Sequence, residues 1–141
     1  MVKSILKKIK VKKLKIVQIS KGNVMHALKK KELSKWNFKE AYFSKIKFNK
    51  VKAWRFHKKM NLNLVVPTGR VKFVFYSLKE KKFKKLVIGE KNYSRISVPS
   101  KVWFGFKGLY KKESIVLNLA DMEHNPKEVL KCEKNKIKFN W

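Results

Sequence analysis

Residues 51–69, VKAWRFHKKMNLNLVVPTG, decide how the rest of the chain is read. A strand-like run ends at His57, a polar turn follows, and the apolar run resumes through 64–66 before breaking at Pro67-Thr68-Gly69. Read by turn signals and alternation, this is a hairpin of two short strands around one potential base, leading into RVKFVFYS at 70–77. A matching segment stands downstream at 96–108, ISVPSKVWFGFKG, where a proline turn opens onto an aromatic strand.

Working outward, AYFSKIKF at 41–48 alternates, with Tyr42, Ser44, Ile46 and Phe48 on one face and Phe43, Lys45 and Lys47 on the other. Lys21-Gly22-Asn23 reads as a turn into a strand at 24–28 that carries His26, and 29–35 as a polar connection. Further strands are predicted at FKKLVIG, YSRISVP and SIVLNLA, separated by turns at 79–82 and 90–92. The tail from Asp121 reads as irregular, broken at Asn125-Pro126, with one helical turn over 127–130. Many short strands with turn signals every eight to twelve residues predict an all-β jelly-roll barrel. Residues 1–20 form a basic arm and first strand, starting near Val11, and 21–141 a single domain.

Composition narrows the function. The chain has 141 residues, 44% of them hydrophobic, enough for a folded core. Its formal charge of +29 would draw in anionic ligands and invites a nucleic-acid or anionic-membrane partner. However, all its basic residues except Arg55, Arg70 and Arg95 are lysine, spread along the chain and alternating with apolar residues. That pattern fits the solvated outer faces of strands better than a nucleic-acid surface, where arginine forks dominate. The N-terminal run lacks an uninterrupted apolar segment and a small-residue cleavage site, and nothing reads as a membrane span. The single Cys132 cannot form an internal disulfide and reads as a bystander thiol of a cytoplasmic protein.

The two blocks at 55–69 and 99–104 resemble the two motifs of cupins, so the resemblance implies a cupin-type double-stranded β-helix. Where cupins place four metal ligands, this chain has Arg55, His57, Leu62 and Phe104. One imidazole is too few for a protein-bound metal, so neither metal nor other cofactor is expected.

Among metal-free cupins, the chain from about Lys21 to Trp141 resembles the dTDP-4-dehydrorhamnose 3,5-epimerases and related sugar epimerases of surface-polysaccharide biosynthesis. The likeness rests on Lys21-Gly22, the segment ending in His57, LVVPTGRVKFV, VPSKVWFGF, IVLNLADMEHNPKEV and the closing IKFNW. It implies proton abstraction next to the C4 ketone of a nucleotide-linked deoxysugar, with a histidine base and a tyrosine acid across the ring. His57 carries over as the base. Trp54, Arg55, Asn118, His124 and Lys21 fall at the family's functional positions, and Tyr42 and Lys72 complete the expected substrate-binding set. The tyrosine acid falls on Asn118, the strand lysine on Leu62 and a histidine on Phe104. The chain ends at Trp141, before the carboxylate that orients the histidine in longer relatives, so no such carboxylate is expected.

The sugar 3,4-ketoisomerases are a second resemblance, through Arg55-Phe56-His57-Lys58-Lys59, Lys39-Glu40-Ala41-Tyr42-Phe43 and Val98-Pro99-Ser100-Lys101-Val102-Trp103. A non-catalytic nucleotide-sugar-binding cupin is the third reading. The family implies a homodimer. Without the family pattern, a lone histidine at a strand end would be read as a packing residue.

Overall fold

Alternating apolar and lysine positions, with few helix-compatible stretches, give a molecule built almost wholly of antiparallel strands. The computed structural model describes residues 3–33 and 37–141. Its strands are β1 (Lys10–Lys13), β2 (Ile16–Val17), β3 (Val24–Met25), β4 (Glu40–Ile46), β5 (Val51–His57) and β6 (Leu62–Thr68), followed by β7 (Arg70–Ser77), β8 (Lys82–Gly89), β9 (Ser94–Val98), β10 (Trp103–Gly108), β11 (Ser114–Ala120) and β12 (Val129–Lys131). One sheet runs β1-β9-β6-β11-β4 and the other β12-β5-β10-β7-β8, with β2 and β3 pairing separately. The jelly roll expected from the sequence is the fold observed. The core fills the space between the sheets, with Leu62, Leu64, Val66, Ile96 and Val116 from one and Phe73, Phe75, Ile88 and Phe104 from the other. No helix of the described residues is long and apolar enough to cross a membrane. The polar connection predicted over 29–35 falls partly outside the described residues.

The pairing at 51–69 differs from the predicted hairpin. β5 and β6 lie in opposite sheets, and the turn between them crosses the barrel end. Its backbone donors therefore find carboxylates rather than a facing strand. Lys59 and Met60 N–H groups donate to Glu128 Oε2, both at 3.2 Å, and the Asn61 N–H donates to Asp121 at 2.8 Å. Met60, 1% exposed, plugs the interior beneath. The connection from β6 to β7 crosses as well, whereas β7 and β8 form a true hairpin in register from Arg70–Gly89 to Ser77–Lys82.

At the N-terminus, Leu6 and Ile9 enter the core, and β1 adds to the sheet edge beside β9. Glu32 ties this edge down by accepting from Lys12 and, at 3.2 Å, from the buried Arg95. The Lys12 hydrogen bond outweighs burial, and with the Lys29 N–H and Arg95 it holds the Glu32 carboxyl down to about 2. In the tail, Asn125 caps a 3-10 turn at Pro126–Glu128, accepting from the Lys127 N–H at 3.0 Å. The chain then forms β12 against β5, a strand the sequence reading did not anticipate.

The crossing at Gly69 is tight. Its φ is +92°, and a β-carbon there would lie 2.2 Å from Ser114 Oγ, the group that accepts from the Arg70 N–H. Gly69→Ala is therefore expected to lower stability by roughly 2 kcal/mol or more, read as a drop in urea midpoint with unchanged slope.

Candidate active site

β5 brings the chemistry together. Its register against β10 slips at Trp54, so that Phe104 faces Arg55 while Gly105 faces Ala53. Beyond this bulge, Arg55 and His57 are two residues apart and share one face of the strand. Both line a cavity of about 480 Å³ between the two sheets. On the opposite wall, β4 and β11 contribute Tyr42 and Asn118, paired directly in register. Leu62, Leu64, Phe104, Phe106 and Val116 make much of the remaining wall apolar.

His57 is 6% exposed and its ring lies against Phe104, with centroids 5.9 Å apart. Its Nδ1 is hydrogen-bonded to Glu128 Oε1. Glu128 is also 6% exposed, and among the described residues it is the one acid whose side chain is buried. Its second oxygen receives the Lys59 and Met60 N–H groups, so both oxygens are engaged. Burial pushes the Glu128 carboxyl up, but His57 and the two backbone donors together outweigh it and hold it below its ordinary value. An ionised carboxylate on Nδ1 selects the tautomer with its proton there, leaving the Nε2 lone pair to accept a proton. This corrects the expectation that the carboxylate behind the histidine is missing. It comes from the short turn before β12, 71 residues from His57, rather than from a later segment.

The opposite wall is also ordered by hydrogen bonds. The Asn63 N–H donates to Asn118 Oδ1 at 3.2 Å, and Asn118 Nδ2 donates to the Tyr42 hydroxyl at 2.8 Å. At the cavity rim, Arg55 and Lys131 face each other across β5 and β12, both exposed and both lining the cavity. Like charges directly opposite in a sheet repel, and an anion between them relieves the repulsion.

Of the residues singled out from the sequence, Tyr42, Trp54, Arg55, His57 and Asn118 line this cavity. Trp54 is 1% exposed and its indole N–H is spent on the Lys134 and Ile137 carbonyls, at 3.1 and 3.2 Å, so it chiefly anchors the tail. The other three do not line the cavity. Lys21 is exposed in the turn between β2 and β3. His124 is exposed, with its backbone N–H donating to Glu40. Lys72 donates to the Trp141 carbonyl at 2.7 Å, and burial, then Lys107 and Lys85, lower its pKa. Glu128, Lys131 and Cys132 were not anticipated as site residues; burial pushes the Cys132 thiol up. Among the described residues, no three His, Cys, Asp or Glu side chains cluster to hold a metal ion.

No protein-family model and no curated protein matches the chain. Solved structures do. A dTDP sugar isomerase from Desulfovibrio desulfuricans G20 superposes with a TM-score of 0.88 at 27% identity, over 94% of this chain and 90% of that one. A dTDP-6-deoxy-D-glucose-3,5-epimerase from Legionella pneumophila Philadelphia 1, in complex with dTDP-4-keto-L-rhamnose, gives 0.82 at 13% identity over 95% and 78%. A sugar 3,4-ketoisomerase from Thermoanaerobacterium thermosaccharolyticum, in complex with TDP, gives 0.75 at 15% identity over 92% and 91%.

The lowered carboxyl of Glu128 fixes a pH signature. Its contribution is complete above the ordinary value of 4.5 and is lost as pH falls through the lower value it has when folded. Wild type is therefore expected to exceed Glu128→Gln in urea stability near neutrality, with the gap narrowing steadily below about pH 4.5. A gap independent of pH would contradict an ionised Glu128.

Proposed function

We propose that this chain, whose fold is that of the dTDP-sugar epimerases and isomerases, abstracts a proton next to the C4 ketone of a nucleotide-linked 4-keto deoxysugar. The observation that carries this reading is the buried Glu128–His57 pair opening onto a cavity with an apolar wall. His57 Nε2 takes the proton, and Glu128 stabilises the imidazolium that results. Arg55 and Lys131 receive the diphosphate at the rim, where it relieves their mutual repulsion. Phe104 and Phe106 keep water from the developing enolate. Epimerisation is the reading favoured by two polar walls on opposite sheets. Ketone transposition is the second reading, since the ketoisomerase likeness covers more than nine-tenths of both chains. We further assign the exposed outer face of β4, where Phe43 is 68% exposed beside Leu117, to pairing with a second copy.

Incubation with dTDP-4-keto-6-deoxyglucose in deuterated water tests the chemistry. Deuterium is expected at a carbon flanking the ketone, and His57→Asn should slow its entry by roughly 10²–10⁴-fold while the melting transition stays cooperative. Ketone movement with C3 exchange would select transposition. Exchange unchanged in His57→Asn would sink the proposal. For the dimer, light scattering should find two copies, favoured by added salt because both carry +29, with Phe43→Glu monomeric.

A further inference from the structure

The outer face of the sheet β12-β5-β10-β7-β8 carries a second concavity, which shares no lining residue with the cavity between the sheets. Register places Leu130 beside Phe56, Phe56 beside Trp103, Trp103 beside Tyr76 and Tyr76 beside Phe83, one apolar row across all five strands. Their chain neighbours His57, Phe104 and Phe75 are buried on the inner side, so period-two alternation turns this row outward. At one end the tail covers it, with Phe139 against Phe83 at 5.0 Å between ring centroids. The other four residues floor an open groove of about 630 Å³, with Ile5 and the 65% exposed Leu78 of the β7–β8 turn at its sides. The Phe56 and Trp103 rings meet at 5.3 Å, and the Trp103 indole N–H and Tyr76 hydroxyl add a polar group to the floor. Lys3, Lys8, Lys79 and Lys101 line the same groove against a single carboxylate, Glu80, an excess of three positive charges. They come from three separate segments: the N-terminal stretch, the β7–β8 turn and the loop before β10.

We propose that this groove binds a nucleotide-sized ligand, its flat ring on the Phe56–Trp103 floor and its phosphates on the lysine rim. A concavity of this volume with an apolar floor and a few polar groups has the form of a small-molecule site. Aromatic side chains offer any base a stacking surface, and lysines receive phosphate as point charges. A second copy of the chain is a poorer occupant, because a symmetric pairing would set two positively charged rims against each other. A bilayer is poorer too: the rings lie in a hollow that a flat surface does not enter. The groove uses neither His57 nor Glu128, so it stands independently of the proton chemistry above.

Calorimetric titration of the full chain with ADP, adenosine and pyrophosphate at low salt tests this. ADP is expected to bind about 10-fold or more tightly than adenosine, which lacks the charge, and than pyrophosphate, which lacks the ring. Trp103→Ala should weaken ADP binding by about 10-fold or more. The double change Lys8→Gln/Lys79→Gln, at two exposed positions, should also weaken it about 10-fold, with the difference shrinking as salt is added. That variant leaves the core untouched and decides the matter if Trp103→Ala fails to fold. Arg55→Ala disarms the rim of the other cavity and should leave this affinity unchanged. ADP binding that disappears in Arg55→Ala but survives in both groove variants belongs to the cavity between the sheets and overturns the proposal. Pyrophosphate binding as tightly as ADP overturns it as well, since the rings then contribute nothing. So does a wild-type chain that ignores ADP, including one that binds a short oligothymidylate instead.

Discussion

One buried carboxylate holds three parts of the barrel together. Glu128 receives the ring of His57 at the end of β5 and the two N–H groups of the turn that crosses to β6, and β12 follows it directly in the chain. An isolated carboxylate in this position would be unfavourable by several kcal/mol, and it is tolerated because three donors meet it. The arrangement also explains why the turn takes its crossing path. Without Glu128, two backbone donors at a closed barrel end would have no partner and the imidazole no fixed tautomer.

The charge of the chain has two unlike roles. Most lysines lie in turns, connections and the tail rather than in strands, and exposed ones such as Lys45 and Lys47, either side of the inward Ile46, contribute solvation more than any specific contact. A few have defined work inside the fold: Lys12 on Glu32, Lys72 and Lys107 on the Trp141 carbonyl. Arg55 and Lys131 differ from both groups, since they converge on the cavity rim from neighbouring strands. A large overall positive field then acts to gather anions, and this local pair to receive one.

The inward face of β4 was legible because period-two alternation is a local property, and Tyr42, Ser44 and Ile46 do turn inward. His57 was legible through its motif. The crossings between sheets were not, because a turn signal says that the chain reverses, not which sheet the next strand joins. Glu128 escaped notice for a related reason: its partner lies 71 residues away, and β12 is only three residues long in a lysine-rich tail. Motif alignment also assigned Lys21 and His124 to a site neither lines, and Lys72, added to the substrate-binding set, does not line it either, since position along a chain carries no information about where a side chain is already committed. Asn118 is the converse case. The aligned residue is chemically wrong for the expected acid, and its amide is committed instead to the Asn63 N–H and the Tyr42 hydroxyl.

The carboxylate behind His57 is buried, yet it directly precedes the edge strand of its sheet. β12 pairs with β5 alone, and the Trp54–Cys132 backbone bonds at 3.0 and 3.2 Å and the Lys58 N–H to Glu128 carbonyl bond at 2.8 Å extend that pairing at both ends. A strand held along one side only opens at a lower free-energy cost than a core does. The segment after β12 is held to Trp54 as well, through its indole N–H and the Trp141 ring, so Glu128 and the tail would leave β5 together. The orientation of the imidazole is thereby tied to how firmly the last stretch of chain stays on one edge strand.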